Sequence, residues 1–110
     1  MFVKAIIQRP IKKGKDSQAF SLLRKIRSNA MNHQGYISGT TMVSTEDPQE
    51  MVVISTWQSL GDWEKWKESK DRKEIDDRLL EIQAKPTSYR TYTSRKYRIS
   101  VKKGFPDALD

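Results

Sequence analysis

The stretch STWQSLGDWEKWKES, residues 55–69, holds all three tryptophans of the chain, Trp57, Trp63 and Trp66. Indole is a large apolar surface with a single N–H donor. Three of them so close together either pack one corner of the fold or build aromatic walls around something flat. Other chemistry-bearing types are scarce. The chain has one histidine, His33, and no cysteine, which excludes disulfides, a thiol nucleophile and thiolate or multi-imidazole metal sites. Asp71, Glu74, Asp76 and Asp77 are interleaved with Lys and Arg, the pattern of a solvated helix face rather than of a carboxylate metal site. No Ser-His-Asp set, glycine-rich phosphate loop or paired catalytic carboxylates stand out, and no metal is expected.

The elements that must position the indoles are legible in the hydrophobic period. FVKAIIQR, residues 2–9, is rich in branched residues and ends at Pro10, as a first strand would. KKGKD is a turn with Asp16 or Ser17 as helix N-cap; Ala19, Leu23, Ile26 and Ala30 then recur at helical spacing with Phe20 beside them, while Arg24, Lys25 and Arg27 fall on other faces. That helix is expected to end near His33–Gln34, ahead of Gly35, with His33 as a macrodipole-favoured terminal residue. YISGTTMVST (36–45) and MVVISTW (51–57) form two strands around a loop at EDPQ. Ser59 with Asp62 makes a capping box. A break near Ser69 precedes a second start at Asp71 with Glu74, and Ile75, Leu79 and Ile82 give the following helix its apolar stripe until Pro86. TSYRTYTSR (87–95) is a last strand.

The order is β-α-β-β-α-β, an α+β ferredoxin-like fold: a four-stranded antiparallel sheet with helices on one face. Met51, Val52, Val53 and Ile54 put apolar side chains on both faces of the third strand, so the second face also needs cover. A homodimer stacking sheet on sheet, a dimeric α/β barrel, is the expected partner arrangement. The length suits one domain, and no linker or repeat divides it. The N-terminal apolar run is too short for a secretory signal and nothing approaches the ~18 apolar residues of a membrane span, so a cytoplasmic protein with no membrane partner is expected. Net charge is +7, concentrated in residues 1–27, which suits nucleic acid, an acidic partner, an anionic small molecule or simply a solvated basic face.

The run GYISGTTMVSTEDPQEMVVISTWQSLGDWEKWKES, with Trp57 closing a strand and Ser59, Trp63 and Trp66 following, resembles the antibiotic biosynthesis monooxygenase family of dimeric α/β barrels. The likeness extends over residues 2–95 and defines an expected domain at 1–95, followed by a C-terminal extension at 96–110. Members include cofactor-independent oxygenases of phenols and quinols, haem-degrading enzymes and proteins of no known activity. The resemblance implies a pocket between helices and sheet, with Trp57 beside it and Trp63 and Trp66 sharing a helix face. Cofactor-free oxygenation of a small aromatic substrate needs a flat apolar slot, donors for a developing oxyanion and exclusion of water. Trp57 and Trp66 would wall that slot, and Gln8, Arg9 or Tyr36 would donate. No cofactor is expected and the catalytic residues are not identified.

Two other chemistries are weighed beside it. The haem-degrading branch places Asn, Trp and His where this chain has Gln8, Trp66 and Asp76; a carboxylate is a poor substitute for an imidazole iron ligand, so haem degradation is disfavoured. An RNA-recognition module would need aromatic and glycine residues in the third strand, which MVVISTW lacks, so no nucleic acid is expected. A non-catalytic small-molecule-binding or signalling module of the same fold is the alternative function. In the extension KYRISVKKGFPDALD, Tyr97, Ile99 and Val101 alternate with polar residues, the period of an added strand or dimer arm.

Overall fold

A computed structural model of the chain describes residues 2–94, so the expected arm at 96–110 lies outside the described residues. The elements are β1 (Val3–Pro10), α1 (Asp16–Ala30), β2 (Tyr36–Val43), β3 (Glu50–Trp57), α2 (Leu60–Lys67), α3 (Lys70–Glu81) and β4 (Ser88–Thr93). The strands form one antiparallel sheet in the order β2-β3-β1-β4. This is the ferredoxin-like arrangement expected from the sequence. Among the described residues no helix is long and apolar enough to cross a membrane.

Strand parity decides what meets the helices. Along β1 the residues Val3, Ala5, Ile7 and Arg9 are buried, whereas Lys4 and Gln8 are exposed; successive side chains point to opposite faces. The buried face carries the helices in two clusters. Ile11 and Met51 pack with Leu22, Leu23, Ile75, Leu79 and Ile82 at one end, and Ala5, Ile7 and Trp57 pack with Ala30, Trp63 and Trp66 at the other. Each fully buried aliphatic side chain contributes about 1.5–3 kcal/mol of transfer free energy. On the opposite face, Ile6, Val52 and Ile54 are half-buried and Met42 and Tyr92 are exposed.

Helix boundaries follow local hydrogen bonding. Ser59 Oγ accepts from the Asp62 amide at 3.1 Å, so the expected capping residue starts α2. The break at Ser69 is also present, but the second start lies there and not at Asp71: Ser69 Oγ accepts from the Arg72 amide at 3.3 Å and caps α3. A serine in an extended conformation satisfies the orphan amide two residues earlier than an aspartate at 71 would. For α1, neither Asp16 nor Ser17 is the cap. Lys15 holds that position without a side-chain bond, and Asp16 places its charge in the first turn, where the helix dipole favours it. The helix also stops at Ala30, short of His33–Gln34, and two tight turns carry the chain to Gly35.

Gly35 has φ +86°, and a Cβ at that position would collide with the Asp62 side chain, whereas Gly14, at φ +83°, has open space around it. A left-handed backbone alone costs an L-residue about 1–2 kcal/mol. Gly14→Ala is therefore expected to lower unfolding free energy by about 1 kcal/mol, and Gly35→Ala by distinctly more, because the turn must move away from α2. Urea denaturation of both variants checks this; equal losses would show that Asp62 simply swings aside.

Candidate functional site

Trp57 ends β3 with its side chain wholly buried. Its indole N–H donates to Ser55 Oγ at 3.0 Å, two residues back on the same sheet face, so this N–H is already engaged within the protein. Around it Tyr36 packs edge-on with ring centroids 5.2 Å apart, Trp63 lies at 6.1 Å, and Trp66 stacks nearly parallel at 6.2 Å. A ring inserted between two parallel indoles needs about 3.5 Å on each side, roughly 7 Å in all. Trp57 and Trp66 therefore make one packed aromatic block and not two facing walls.

A recess between α1 and the sheet reaches this block. It is lined by Ile26, Arg27 and Ala30 of α1, by Tyr36, Gly39 and Thr41 of β2, by Val53, Ser55 and Trp57 of β3, and by Trp66 of α2. Its inner volume is only ≈ 40 Å³, well below the ~300 Å³ at the lower end of ordinary ligand pockets. It opens toward a hollow of ≈ 360 Å³ between α1 and β2, which shares Leu23, Arg27, Gly39, Thr40 and Thr41 with the recess and adds Phe20 and Arg24. The Tyr36 hydroxyl is buried without a hydrogen-bond partner. Among the described residues lining either space there is no carboxylate and no imidazole.

The residues singled out in the sequence separate into distinct places. Tyr36, Trp57 and Trp66 meet at the recess. Trp63 lies behind them, packed between Trp57 and Tyr89. Gln8 is exposed on the opposite face of the sheet, paired across to Val52 and Ser88. Arg9 and Asp76 belong to a separate buried cluster. There Arg9 Nη1 approaches Asp76 Oδ1 at 2.7 Å, misaligned for a hydrogen bond and acting through charge, and donates to Gln83 Oε1 at 2.9 Å. Arg72 Nη2 stands 3.7 Å from the same carboxylate and donates to the Tyr89 hydroxyl. This cluster ties β1 and β4 to α3. The Gln8–Trp66–Asp76 constellation of the haem-degrading pattern is thus spread over three separate locations.

The fold also moves His33. Expected as a terminal residue of the first helix, it lies beyond that helix, packs edge-on against Trp66 with centroids 4.6 Å apart and has Nε2 3.6 Å from Asp71. The early end of α1 turns it back over α2. Arg27, Gly39 and Ser55 are lining residues that the sequence reading did not single out. Arg27 follows Leu23 by four and precedes Ala30 by three, a spacing that places it on the rim of the apolar stripe. That rim borders the recess because a gap remains between α1 and the edge strand β2.

A model of the antibiotic biosynthesis monooxygenase family matches residues 2–78. Several solved structures share the fold. A conserved protein from Methanosarcina mazei Go1 superposes with a TM-score of 0.81 at 19% identity, covering 86% of this chain and 94% of that one. SnoaB, a cofactor-independent oxygenase from Streptomyces nogalater, gives 0.77 at 11% identity over 88% and 96%. Rv0793 from Mycobacterium tuberculosis gives 0.77 at 14% identity over 90% and 100%. No curated protein sequence matches.

Separating the ion cluster from the recess has a measurable consequence. Removing one partner of a buried charge pair costs about 3–5 kcal/mol. Asp76→Asn is expected to fall near the lower value, since Arg9 retains Gln83 and Arg72 retains Tyr89, while near-ultraviolet circular dichroism of the indoles stays as in the parent. Chemical denaturation with an unchanged slope checks the first point. An altered indole spectrum would show that the two regions are coupled.

Proposed function

We propose, from the premise that this chain belongs to the antibiotic biosynthesis monooxygenase family, that its recess binds a small phenol or quinol and exposes it to dioxygen without a cofactor. The observation that carries this reading is the meeting of Trp57, Trp66 and an unpartnered Tyr36 hydroxyl in one apolar recess. A shared fold with a structure described as a cofactor-independent oxygenase supports it. Oxidation begins when the phenolate gives an electron to dioxygen. Recombination of the two radicals forms a carbon–oxygen bond, and loss of water from the hydroperoxide leaves a quinone. One phenol and one dioxygen yield one quinone and one water, so no outside reductant is needed. The small inner volume requires side-chain movement on entry, which favours a single ring over a polycycle.

A second reading, binding without turnover, draws on the lack of a carboxylate or imidazole in the described lining. Without a protein base the substrate has to ionise by itself. An isolated phenol does so near pH ~10. Oxygen consumption with simple phenols and hydroquinones is therefore expected to rise with pH as the substrate ionises, with one dioxygen used per quinone formed. Trp66→Phe, which keeps a six-membered ring but loses the fused pyrrole, is expected to weaken substrate binding several-fold. An oxygen electrode and tryptophan fluorescence titrations measure these. Ligand quenching without oxygen uptake at any pH would select the binding module and reject the oxygenase.

The same reading includes a homodimer in a reducing, cytoplasmic setting, consistent with the absence of cysteine. Ile6, Val52, Ile54, Met42 and Tyr92 give the helix-free sheet face an apolar centre. A second copy stacked there would bury at least the ~1,200–2,000 Å² of a standard interface. Sedimentation at micromolar concentration is expected to give twice the 12.8 kDa chain mass, and Ile54→Lys to shift it to monomer. A parent protein that sediments as a single chain would remove the dimer from the proposal.

A further inference from the structure

The recess has a polar end that the aromatic reading does not explain. Tyr36 presents a buried hydroxyl with no partner, and leaving such a group unsatisfied costs about 1–3 kcal/mol. The hydroxyl is held over Gly39, where an added Cβ would lie 2.6 Å from it. The missing side chain at 39 is what leaves room for that oxygen. Its ring is fixed edge-on against Trp57, so the hydroxyl has little freedom to seek another partner.

Charge is arranged around the same end. Arg27 lines both the recess and the outer hollow, and Arg24, three residues earlier on α1, lines the hollow beside Phe20. Residues three apart on a helix are neighbours on its surface, so two arginines border the entrance. Neither cation has a carboxylate within ion-pair distance among the described residues, in contrast to Arg9 and Arg72, whose charges are spent on Asp76. An apolar slot that holds an unpartnered hydroxyl and is bordered by an arginine with no ion pair among the described residues is complementary to a flat ring bearing a single anionic oxygen.

We propose that Arg27, the Tyr36 hydroxyl and the gap at Gly39 form an oxyanion-recognising end of this recess, which selects the ionised form of a small phenol. Arg27 supplies the charge, Tyr36 donates the hydrogen bond, and Gly39 keeps the place open. The inference rests on the recess being the ligand site, and it assigns the ionisation of the substrate to these residues. A cation and a donor beside the bound oxygen lower its pKa, which supplies what a protein base would otherwise do.

The probes are 4-nitrophenol, whose ionised form is yellow, and 4-nitroanisole, its methyl ether of nearly equal size. Bound 4-nitrophenol is expected to titrate about one pH unit or more below the free compound, and its anion to bind at least tenfold more tightly than the ether. Arg27→Gln should abolish the shift. Tyr36→Phe should reduce anion affinity several-fold while leaving the ether unaffected, and Gly39→Ala should weaken both probes by displacing Tyr36 into the recess. Arg27 is exposed and Phe keeps the ring at 36, so these two variants retain the fold, with thermal melting as the control. Equal binding of phenol and ether, or an unshifted titration that Arg27→Gln leaves unchanged, would overturn the oxyanion end while the aromatic recess stands. Failure of either probe to perturb tryptophan fluorescence would overturn the recess as a ligand site and this inference with it.

Discussion

The burial of Trp57 at the end of β3 is the constraint around which the rest of the molecule is arranged. A wholly enclosed indole at a strand–helix corner requires cover from several elements at once, and it receives Tyr36 from β2, Trp63 and Trp66 from α2, and Ser55 from its own strand. Because β3 passes directly into the Ser59 cap, α2 has no freedom to leave this corner. The same block both closes one end of the core and borders the recess. Core packing and the lining of the recess are therefore carried by overlapping side chains, and a conservative ring replacement is more informative there than truncation.

The other end of the helix face works differently. Arg9, Arg72 and Asp76 bring two cations and one carboxylate into a buried setting, with Gln83, Thr87 and Tyr89 accepting further hydrogen bonds. An ion cluster of this kind adds little net stability over a well-packed apolar replacement, yet it punishes loss of any member. Its effect is to fix α3 against β1 and β4. The cluster still leaves Arg9 Nε and Asp76 Oδ1 without a hydrogen-bond partner, and at the α1–β2 side the Tyr36 hydroxyl is likewise unpartnered.

Period and punctuation determined much of this in advance. The alternating strands, the helical repeat of Ile75, Leu79 and Ile82, the cap at Ser59 and the interruption near Ser69 follow from local geometry, and together they specify the β-α-β-β-α-β order. The clustering of three tryptophans in residues 55–69 likewise marked the corner, because a strand terminus and the next helix are close in space whatever the rest of the chain does. What local pattern could not decide was parity. β1 has an isoleucine on each face, Ile6 and Ile7, so its sequence is compatible with either face turning inward. Only pairing with β3 and β4 put Gln8 outside and Arg9 inside. Nor could it show that Arg9 would meet Asp76, that His33 would fold back over Trp66, or that Arg27 would border a recess. Those are contacts between elements far apart in the chain, set by how helices lie across a twisted sheet, and only the tertiary structure brings them together.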